Sequence, residues 1–251
     1  MMKLENRVAL VTGGGGAIGR AISLRLAREG ASIAVCDIRE EAAERVAQEV
    51  AATGREAIAI GVDLRDVRSI DQMVEQVAQR FNRIDILVTS AGGSARGKTA
   101  LLKDADEDVI DMILDVNLRS VLFCARVVIP HMIRQRYGKI VNIGSVVGIG
   151  GKSRFADYTA AKAGVIALTR TLAMEVGEYG INVNCVSPGI VPRAGEKNDL
   201  ERIRKTNYLR RIGKVEDVAN MVNFLVSEEA DFITGQNFIV DGGRSLGLTG
   251  D

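Results

Sequence analysis

Residues 7–19 read RVALVTGGGGAIG, a short apolar run rich in β-branched residues that leads directly into four glycines. The apolar run is typical of a buried parallel strand, and a helical pattern follows over residues 20–29. Strand, glycine turn and helix in this order form the context of a dinucleotide-binding turn. The glycines permit tight backbone geometry, and the helix N-terminus offers free N–H groups to a pyrophosphate. The stretch therefore predicts a phosphate-binding turn, the alternative being a flexible turn without a ligand.

A second apolar run, residues 32–36, ends at Asp37, eighteen residues after Gly19. A carboxylate at this place can bond the ribose hydroxyls of adenosine and repels a 2′-phosphate, which favours NAD over NADP. Arg39 lies two residues on and could soften that preference. Asp37 could also cap the helix that the pattern predicts from residue 40. The two interpretations are compatible.

Ser145, Tyr158 and Lys162 form a candidate proton-transfer group. Tyr158 and Lys162 are four residues apart, so on a helix their side chains project from one face. A cation beside a phenol favours the phenolate and lowers its pKa, which suits a general acid/base at neutral pH. Ser145, thirteen residues before Tyr158, could hydrogen-bond the reacting oxygen. Taken alone, a Tyr–Lys pair at this spacing is usually part of a solvated helix face, because both residues are common there. The glycine turn earlier in the same chain is what favours a proton-transfer group.

Apolar runs alternate with helical stretches along the whole chain of 251 residues. The alternation predicts a single α/β domain over residues 1–251: a Rossmann-type, doubly wound, mostly parallel sheet of seven strands with helices on both faces. In such sheets ligands bind beyond the carboxyl ends of the strands. The predicted strands are residues 8–12, 33–36, 57–62, 84–89, 139–143, 182–186 and 237–240, and predicted helices include 20–29, 40–52, 67–80, 109–135 and 157–177.

Composition excludes several classes of function. The net charge of +1 gives no electrostatic case for nucleic acid or an anionic membrane as partner. No signal peptide or run of about 18 apolar residues is present, so we expect a cytoplasmic protein. Three widely spaced cysteines in apolar runs predict buried thiols rather than disulfides. With His131 as the only histidine and no close cysteine pair, neither a metal site nor a Ser–His–Asp hydrolase is expected.

Taken together and in this order, the motifs resemble the short-chain dehydrogenase/reductase family over nearly the full length. The nearest branch includes 3-oxoacyl-carrier-protein reductases and many sugar and secondary-alcohol dehydrogenases. TGGGGAIG is similar to the family's TGxxxGxG turn, although Ala17 stands where a glycine is usual. Ser90 likewise replaces the first residue of an Asn-Ala-Gly motif, and Arg193 replaces a threonine that often binds the carboxamide.

The resemblance implies a full set of site residues. Asn117 matches the helix asparagine that holds a water in the family's proton relay, and with Ser145, Tyr158 and Lys162 it completes a catalytic tetrad. Lys162 would also hold the nicotinamide ribose. The implied cofactor contacts are Gly13, Gly16, Ile18, Gly19, Asp37, Asp63 (to adenine), Ser90, Ala91, Gly92, Tyr158, Lys162 and, in the loop that covers the nicotinamide, Pro188, Gly189 and Val191.

The expected activity is hydride transfer between NAD(H) and a secondary alcohol or ketone, with Tyr158 as general acid/base. An NADPH-dependent 3-oxoacyl-[acyl-carrier-protein] reductase is the alternative, which Asp37 disfavours. A non-catalytic nucleotide-binding sensor is an alternative of a different class, which the intact tetrad disfavours. An epimerase or dehydratase that uses the cofactor transiently has no specific support.

The substrate is expected to be a small molecule bound partly by a loop near residues 190–210. Five cations near the expected mouth favour an anionic or carrier-bound substrate, unless most of them point to solvent: Arg96, Lys98, Lys152, Arg154 and Arg193. The family resemblance implies a homotetramer packed through the helices at residues 109–135 and 157–177. The first of these helices is apolar nearly all round, which agrees with such packing.

Overall fold

A computed structural model describes residues 2–95, 97–192 and 199–247. The strands are β1 Val8–Thr12, β2 Ser32–Asp37, β3 Ala57–Gly61, β4 Ile86–Thr89, β5 Gly138–Ile143, β6 Ile181–Pro188 and β7 Asn237–Val240. The helices are α1 Ala17–Arg28, α2 Glu40–Ala51, α3 Val67–Phe81, α4 Glu107–Leu114, α5 Ser120–Gln135, α6 Val147–Gly150, α7 Ala156–Val176, α8 Leu200–Lys205 and α9 Val215–Val226.

The seven strands form one sheet in the order β3-β2-β1-β4-β5-β6-β7, and every strand pair is parallel. From β1 the chain adds strands on one side, through β2 to β3, and then on the other side, from β4 to β7. The switch point of the sheet therefore lies between β1 and β4. Doubly wound sheets bind ligands at this point, outside the carboxyl ends of the strands. The predicted fold class is therefore confirmed.

Helices cover both faces of the sheet, as predicted. On one face α1, α2 and α9 pack over side chains of β1 and β2 such as Val11 and Val35. On the other face α3, α5 and α7 pack over Leu10, Leu87 and Ile140. Because both faces are covered, the central strands are apolar on both sides, which explains why they read as continuous apolar runs rather than as alternating patterns.

Strand ends differ from prediction by up to two residues. β4 begins at Ile86 rather than at residue 84, and β6 continues to Pro188 rather than ending at residue 186. The extension follows from the neighbouring strand, since Ser187 pairs with Ile239 and Pro188 with Val240. The sequence of β6 alone gives no sign of this, because the partner lies about fifty residues further along the chain.

Residues 109–135 are helical, as predicted, but the helix is not regular along its whole length. The segment begins at Glu107, and a wide π-type turn at Asp115–Arg119 separates α4 from α5. The side-chain amide of Asn117, inside that turn, donates to the Ile113 carbonyl at 2.9 Å. That carbonyl normally accepts a backbone N–H one turn on, so the side chain competes with the regular helical hydrogen bond.

The cysteines are buried and unpaired, as the spacing predicted. Burial raises the pKa of the Cys124 thiol to about 12, and it also raises the pKa of Cys36 and of Cys185. Within the described ranges no three His, Cys, Asp or Glu side chains are grouped as a metal ion would require. None of the helices described is both long and apolar enough to cross a membrane.

Candidate active site

The glycine turn joins the end of β1 to the start of α1. Gly13 has φ +64°, and a Cβ there would lie 2.6 Å from the Cα of Ala91, so both the backbone angle and the space require glycine. A Cβ on Gly19 would collide with the Gly13 carbonyl, which keeps α1 close to the turn. No side chain caps the N-terminus of α1, and its first turn carries no acid. The free N–H groups and the positive dipole end therefore face an open cradle that suits a pyrophosphate.

Asp37, the last residue of β2, lies beside this turn. Its side chain is almost fully buried, and its oxygens accept hydrogen bonds from the Gly15 N–H at 3.1 Å and the Arg39 N–H at 3.0 Å. The N-cap position of α2 belongs to Arg39, so Asp37 does not occupy it. The carboxylate thus ties the end of β2 to the glycine turn. The Arg39 guanidinium lies 3.5 Å away and is largely exposed.

Asp63 follows β3 at the same edge of the sheet. Both of its carboxylate oxygens are engaged by Arg65, with Nη2 to Oδ2 at 2.6 Å and Nε to Oδ1 at 3.0 Å. This guanidinium lowers the pKa of the Asp63 carboxyl. The residue that the resemblance assigns to adenine is therefore paired with Arg65.

Ser90, Ala91 and Gly92 lie directly after β4 and face the glycine turn. The Ala91 N–H donates to the Thr12 hydroxyl at 3.4 Å, which links the ends of β1 and β4. Gly92 has φ +134°, and a Cβ on it would overlap the Asn117 side-chain oxygen. This loop therefore has no room for larger residues.

Asn117 is fully buried, and its side chain both accepts a hydrogen bond from the backbone of Gly93 and donates one to it. Its oxygen accepts from the Gly93 N–H at 2.9 Å, and its amide donates to the Gly93 carbonyl at 3.1 Å. The π turn that carries Asn117 is thereby fastened to the loop after β4. The Lys162 ammonium lies near the same loop, 3.6 Å from the position that a Cβ on Gly92 would take.

Tyr158 and Lys162 lie on α7, as predicted, one turn apart. The Lys162 ammonium is 5.8 Å from the centre of the Tyr158 ring and donates to the Ile143 carbonyl at 2.8 Å. Lys162 is buried, and the loss of water around its ammonium lowers its pKa to about 8. Ser145 lies two residues beyond β5, with its Oγ accepting from the Val147 N–H at 3.2 Å. A buried amine close to a phenol is an arrangement typical of proton-transfer sites.

The loop after β6 follows the same edge. Pro188 ends the strand, and a Cβ on Gly189 would lie 2.7 Å from the Cβ of Asp241, so this crossing also requires glycine. Val191 borders a small cavity of about 40 Å³ between this loop and α9. Arg193, predicted near the site mouth, lies outside the described residues, as do residues 194–198 of the predicted substrate loop.

The described cations near the mouth are exposed, and Arg96 lies outside the described residues. The Lys152 ammonium lies over the Phe155 ring, 4.0 Å from its centre. Arg154 has φ +70° and donates from Nη2 to the Thr99 carbonyl at 3.1 Å, so it joins the loop before α7 to the loop after β4. Arg154 thus has a role in holding two loops together that its charge alone did not suggest.

Three further residues that were not predicted from the sequence shape the site. Thr12 holds the loop after β4, and Gly93 anchors Asn117. A Cβ on Gly144 would lie 2.6 Å from the Ser187 hydroxyl and 2.8 Å from the Cys185 sulfur, so only glycine lets β5 and β6 end side by side here. The only local signal was that two of them are glycines next to predicted site residues, because their partners are distant in sequence.

Comparisons with known proteins agree with this geometry. Residues 15–245 match a family model described as Enoyl-(Acyl carrier protein) reductase. The chain is 38% identical over 249 residues to the (2S)-[(R)-hydroxy(phenyl)methyl]succinyl-CoA dehydrogenase subunit BbsD of Thauera aromatica, covering 98% of this chain and 99% of that protein. It is also 38% identical over 246 residues to the 3-oxoacyl-[acyl-carrier-protein] reductase FabG of Thermotoga maritima, covering 96% and 99%.

A solved structure of similar shape is that of NAD⁺-bound xylitol dehydrogenase, with a TM-score of 0.90 and 32% identity, covering 96% of this chain and all of that one. The relatives share the full length of the fold, from the glycine turn to the loops beyond β6. Together with the parallel sheet and the order of the motifs, these similarities show that the chain belongs to the short-chain dehydrogenase/reductase family.

Proposed function

We propose that this chain transfers hydride between NAD(H) and a secondary alcohol or ketone, with Tyr158 as the general acid/base. As a member of its family the chain is an oxidoreductase that acts on CH–OH groups. The observation that carries the assignment of residues is the buried Lys162 ammonium, one helical turn from Tyr158 and beside the loop after β4. A sensor would need no such amine next to a phenol.

The residues at the carboxyl edge fit a dinucleotide. The uncapped N-terminus of α1 would hold the pyrophosphate, where Gly13, Gly16 and Gly19 allow a close approach to the backbone and Ile18 lies in the first turn of the helix. A nicotinamide bound here supplies the carbon that accepts or gives the hydride. The adenosine end would lie near Asp37 and Asp63, and the nicotinamide end near Lys162 and the loop from Pro188 to Val191.

In the oxidation direction, the Tyr158 phenolate takes the proton of the substrate hydroxyl. The Lys162 ammonium stabilises that phenolate by its charge, which acts strongly because the ammonium is buried. Ser145 donates a hydrogen bond to the oxygen that gains negative charge. Asn117 holds the loop at Gly93 in place. As the family resemblance implies, it would also connect Lys162 to solvent through a water.

NAD is the proposed cofactor because Asp37 presents a fixed carboxylate beside the turn. An NADPH-dependent 3-oxoacyl-[acyl-carrier-protein] reductase is the second candidate, favoured by the likeness to the FabG protein. The proposed substrate is a small molecule, anionic or carrier-bound. The likeness to a CoA-linked dehydrogenase and to a carrier-protein reductase supports that choice. The small cleft between the loop after β4 and α7 is lined by Asp106 and Asp157 as well as by Lys98 and Arg154, so its charges balance and do not add to that support.

We also propose a cytoplasmic homotetramer. Three free, buried thiols suit a reducing compartment. Val121 and Val128 of α5 are buried within the monomer, so the apolar character of that helix supports association less than its sequence suggested. Exposed Leu122 on α5 and Met174 on α7 remain as apolar contacts for a second copy. Light scattering on the purified protein tests this, and a monomeric mass would contradict it.

The function is tested by NADH formation from a panel of secondary alcohols, polyols and 3-hydroxyacyl thioesters, each with NAD⁺ and with NADP⁺. We expect turnover with NAD⁺, and a fall of about 100- to 10,000-fold in Tyr158→Phe because the phenol oxygen carries the proton. Cofactor affinity, followed by NADH fluorescence, should stay nearly unchanged in that variant.

The outcomes separate the candidates. Turnover of the thioester with NADP⁺ alone would favour the reductase and contradict the role given to Asp37. Full activity in Tyr158→Phe would contradict the catalytic assignment. Cofactor binding without turnover of any substrate class would favour a nucleotide sensor.

A further inference from the structure

A chain of buried polar side chains crosses the otherwise apolar centre of the molecule. The Thr89 hydroxyl donates to the Asn142 side-chain oxygen at 2.8 Å, and the Asn142 amide donates to the Thr169 hydroxyl at 3.0 Å. The Thr169 hydroxyl in turn donates to the Val165 carbonyl at 2.9 Å. The three side chains are at most 3% exposed. Such groups are costly to bury unless they are paired, so each depends on the others.

The network joins three elements, and each of them leads to the candidate active site. Thr89 is the last residue of β4, just before the loop that Asn117 holds at Gly93. Asn142 lies in β5, directly before Ile143, whose carbonyl accepts from Lys162. Gly93, which binds Asn117, is therefore four positions beyond Thr89, and Ile143, which binds Lys162, is one position beyond Asn142.

Thr169 supplies the third connection. It lies on α7 seven residues after Lys162, which is two helical turns along the same face. The neighbouring core contacts of α7 are apolar, with Leu172, Ala173 and Val176 packed against the sheet. Apolar packing resists separation but is weakly directional, whereas a hydrogen bond from Asn142 is satisfied at only one position of the helix along β5.

We propose that Thr89, Asn142 and Thr169 are positioning residues that fix α7 against β4 and β5, and thereby set the place of Tyr158 and Lys162 relative to Ser145 and the cofactor loop. The inference rests on the proposed function. The network touches neither substrate nor cofactor and acts only through the backbone that it holds. A fully paired buried network stabilises one arrangement of the elements around it, which is what proton transfer over a short distance requires.

Thr169→Val tests this, because valine keeps the shape and removes the hydroxyl. With the best substrate of the panel above, we expect kcat to fall about tenfold, since small displacements of reacting groups are costly. The midpoint of the pH profile of kcat should move by about half a unit, since the surroundings of the Tyr158–Lys162 pair change. Thr169→Ser restores the hydroxyl and should recover both values.

Thr89→Val and Thr89→Ser repeat the comparison from the other end of the network. They provide the same test if Thr169→Val folds poorly. Val77→Ala is the control for stability, because Val77 is a buried residue of α3 with no contact to the network's hydrogen bonds. It should lower Tm by several degrees and leave the pH profile unchanged.

A normal pH profile and normal kcat in both valine variants, with only a lower Tm, would overturn the inference and reduce the network to a structural role. Tyr158→Phe assayed in parallel keeps the two proposals apart. Activity in that variant overturns the proposed function, whereas unchanged profiles in the valine variants overturn only the role of the network.

Discussion

The two ends of the proposed cofactor site are held by different forces. At the adenosine end, Asp37 and Asp63 each pair with an arginine two residues further on, Arg39 and Arg65, whose side chains are 66% and 48% exposed. At the catalytic end, Lys162 is buried and has a backbone carbonyl as its hydrogen-bond acceptor. The comparison contrasts a nucleotide end, where the acids pair with exposed arginines whose charge water screens, with a catalytic end, where the charged group itself is desolvated.

The largest expected effect tests desolvation at the catalytic end. Burial lowers the pKa of Lys162 from 10.5 to about 8, so the buried ammonium costs stability below pH 8, and this cost disappears as pH rises towards 10.5. In Lys162→Met the cost is absent at every pH. The free energy of unfolding of the variant minus that of the wild type should therefore fall by about 3 kcal/mol between pH 7 and 10.5.

Urea denaturation followed by circular dichroism at several pH values measures this difference. Loss of the hydrogen bond to Ile143 shifts the difference by a constant amount and leaves its pH dependence intact. Lys98→Met, which removes an exposed ammonium, is the control. Its free energy of unfolding should change with pH in the same way as that of the wild type. If the free energy of unfolding of Lys162→Met also changed with pH as that of the wild type does, the conclusion that the Lys162 ammonium is desolvated would be contradicted.

An intermediate effect is expected at Asp37. Asp37→Asn removes the charge but keeps an oxygen that can accept from the Gly15 N–H, so the turn should persist. Because a carboxylate repels a 2′-phosphate, the ratio of the Kd for NADP⁺ to that for NAD⁺ should fall about tenfold. Calorimetric titration with both cofactors measures the ratio. Arg39→Ala is the matched variant and should change the ratio in the opposite direction. An unchanged ratio in Asp37→Asn would leave Asp37 with only a structural role at the turn.

The smallest effect is expected at Arg65. In the proposed complex an adenine amino group would share Asp63 with this guanidinium. Arg65→Ala should then tighten NAD⁺ binding by about two- to fivefold, which corresponds to the free energy that an exposed ion pair contributes. Binding of nicotinamide mononucleotide, which has no adenine, should not change. Arg68→Ala removes an exposed arginine from α3 nearby and is the control. Weaker NAD⁺ binding in Arg65→Ala would instead place Arg65 in contact with the adenine.

Much of the candidate site could be predicted from the sequence because its signals are local. Gly13 and Gly19 mark a turn whose geometry only glycine permits, and Tyr158 and Lys162 share a helix face by their spacing alone. The pairing of Asp63 with Arg65 escaped prediction although the residues are only two apart. A side-chain ion pair on the surface depends on rotamers, which sequence spacing does not specify.

The sequence by itself determined the parallel α/β architecture, the glycine turn and the order of the site residues along the chain, because apolar periodicity and turn chemistry act over a few neighbouring residues. The tertiary structure alone decided the π turn at Asn117, the burial of Lys162 and the network through Asn142. The two hydrogen bonds between side chains of this network join Thr89 to Asn142 and Asn142 to Thr169, which are 53 and 27 positions apart in the sequence. Such bonds form only when the sheet and α7 are assembled, since the partners lie on different elements that packing brings together.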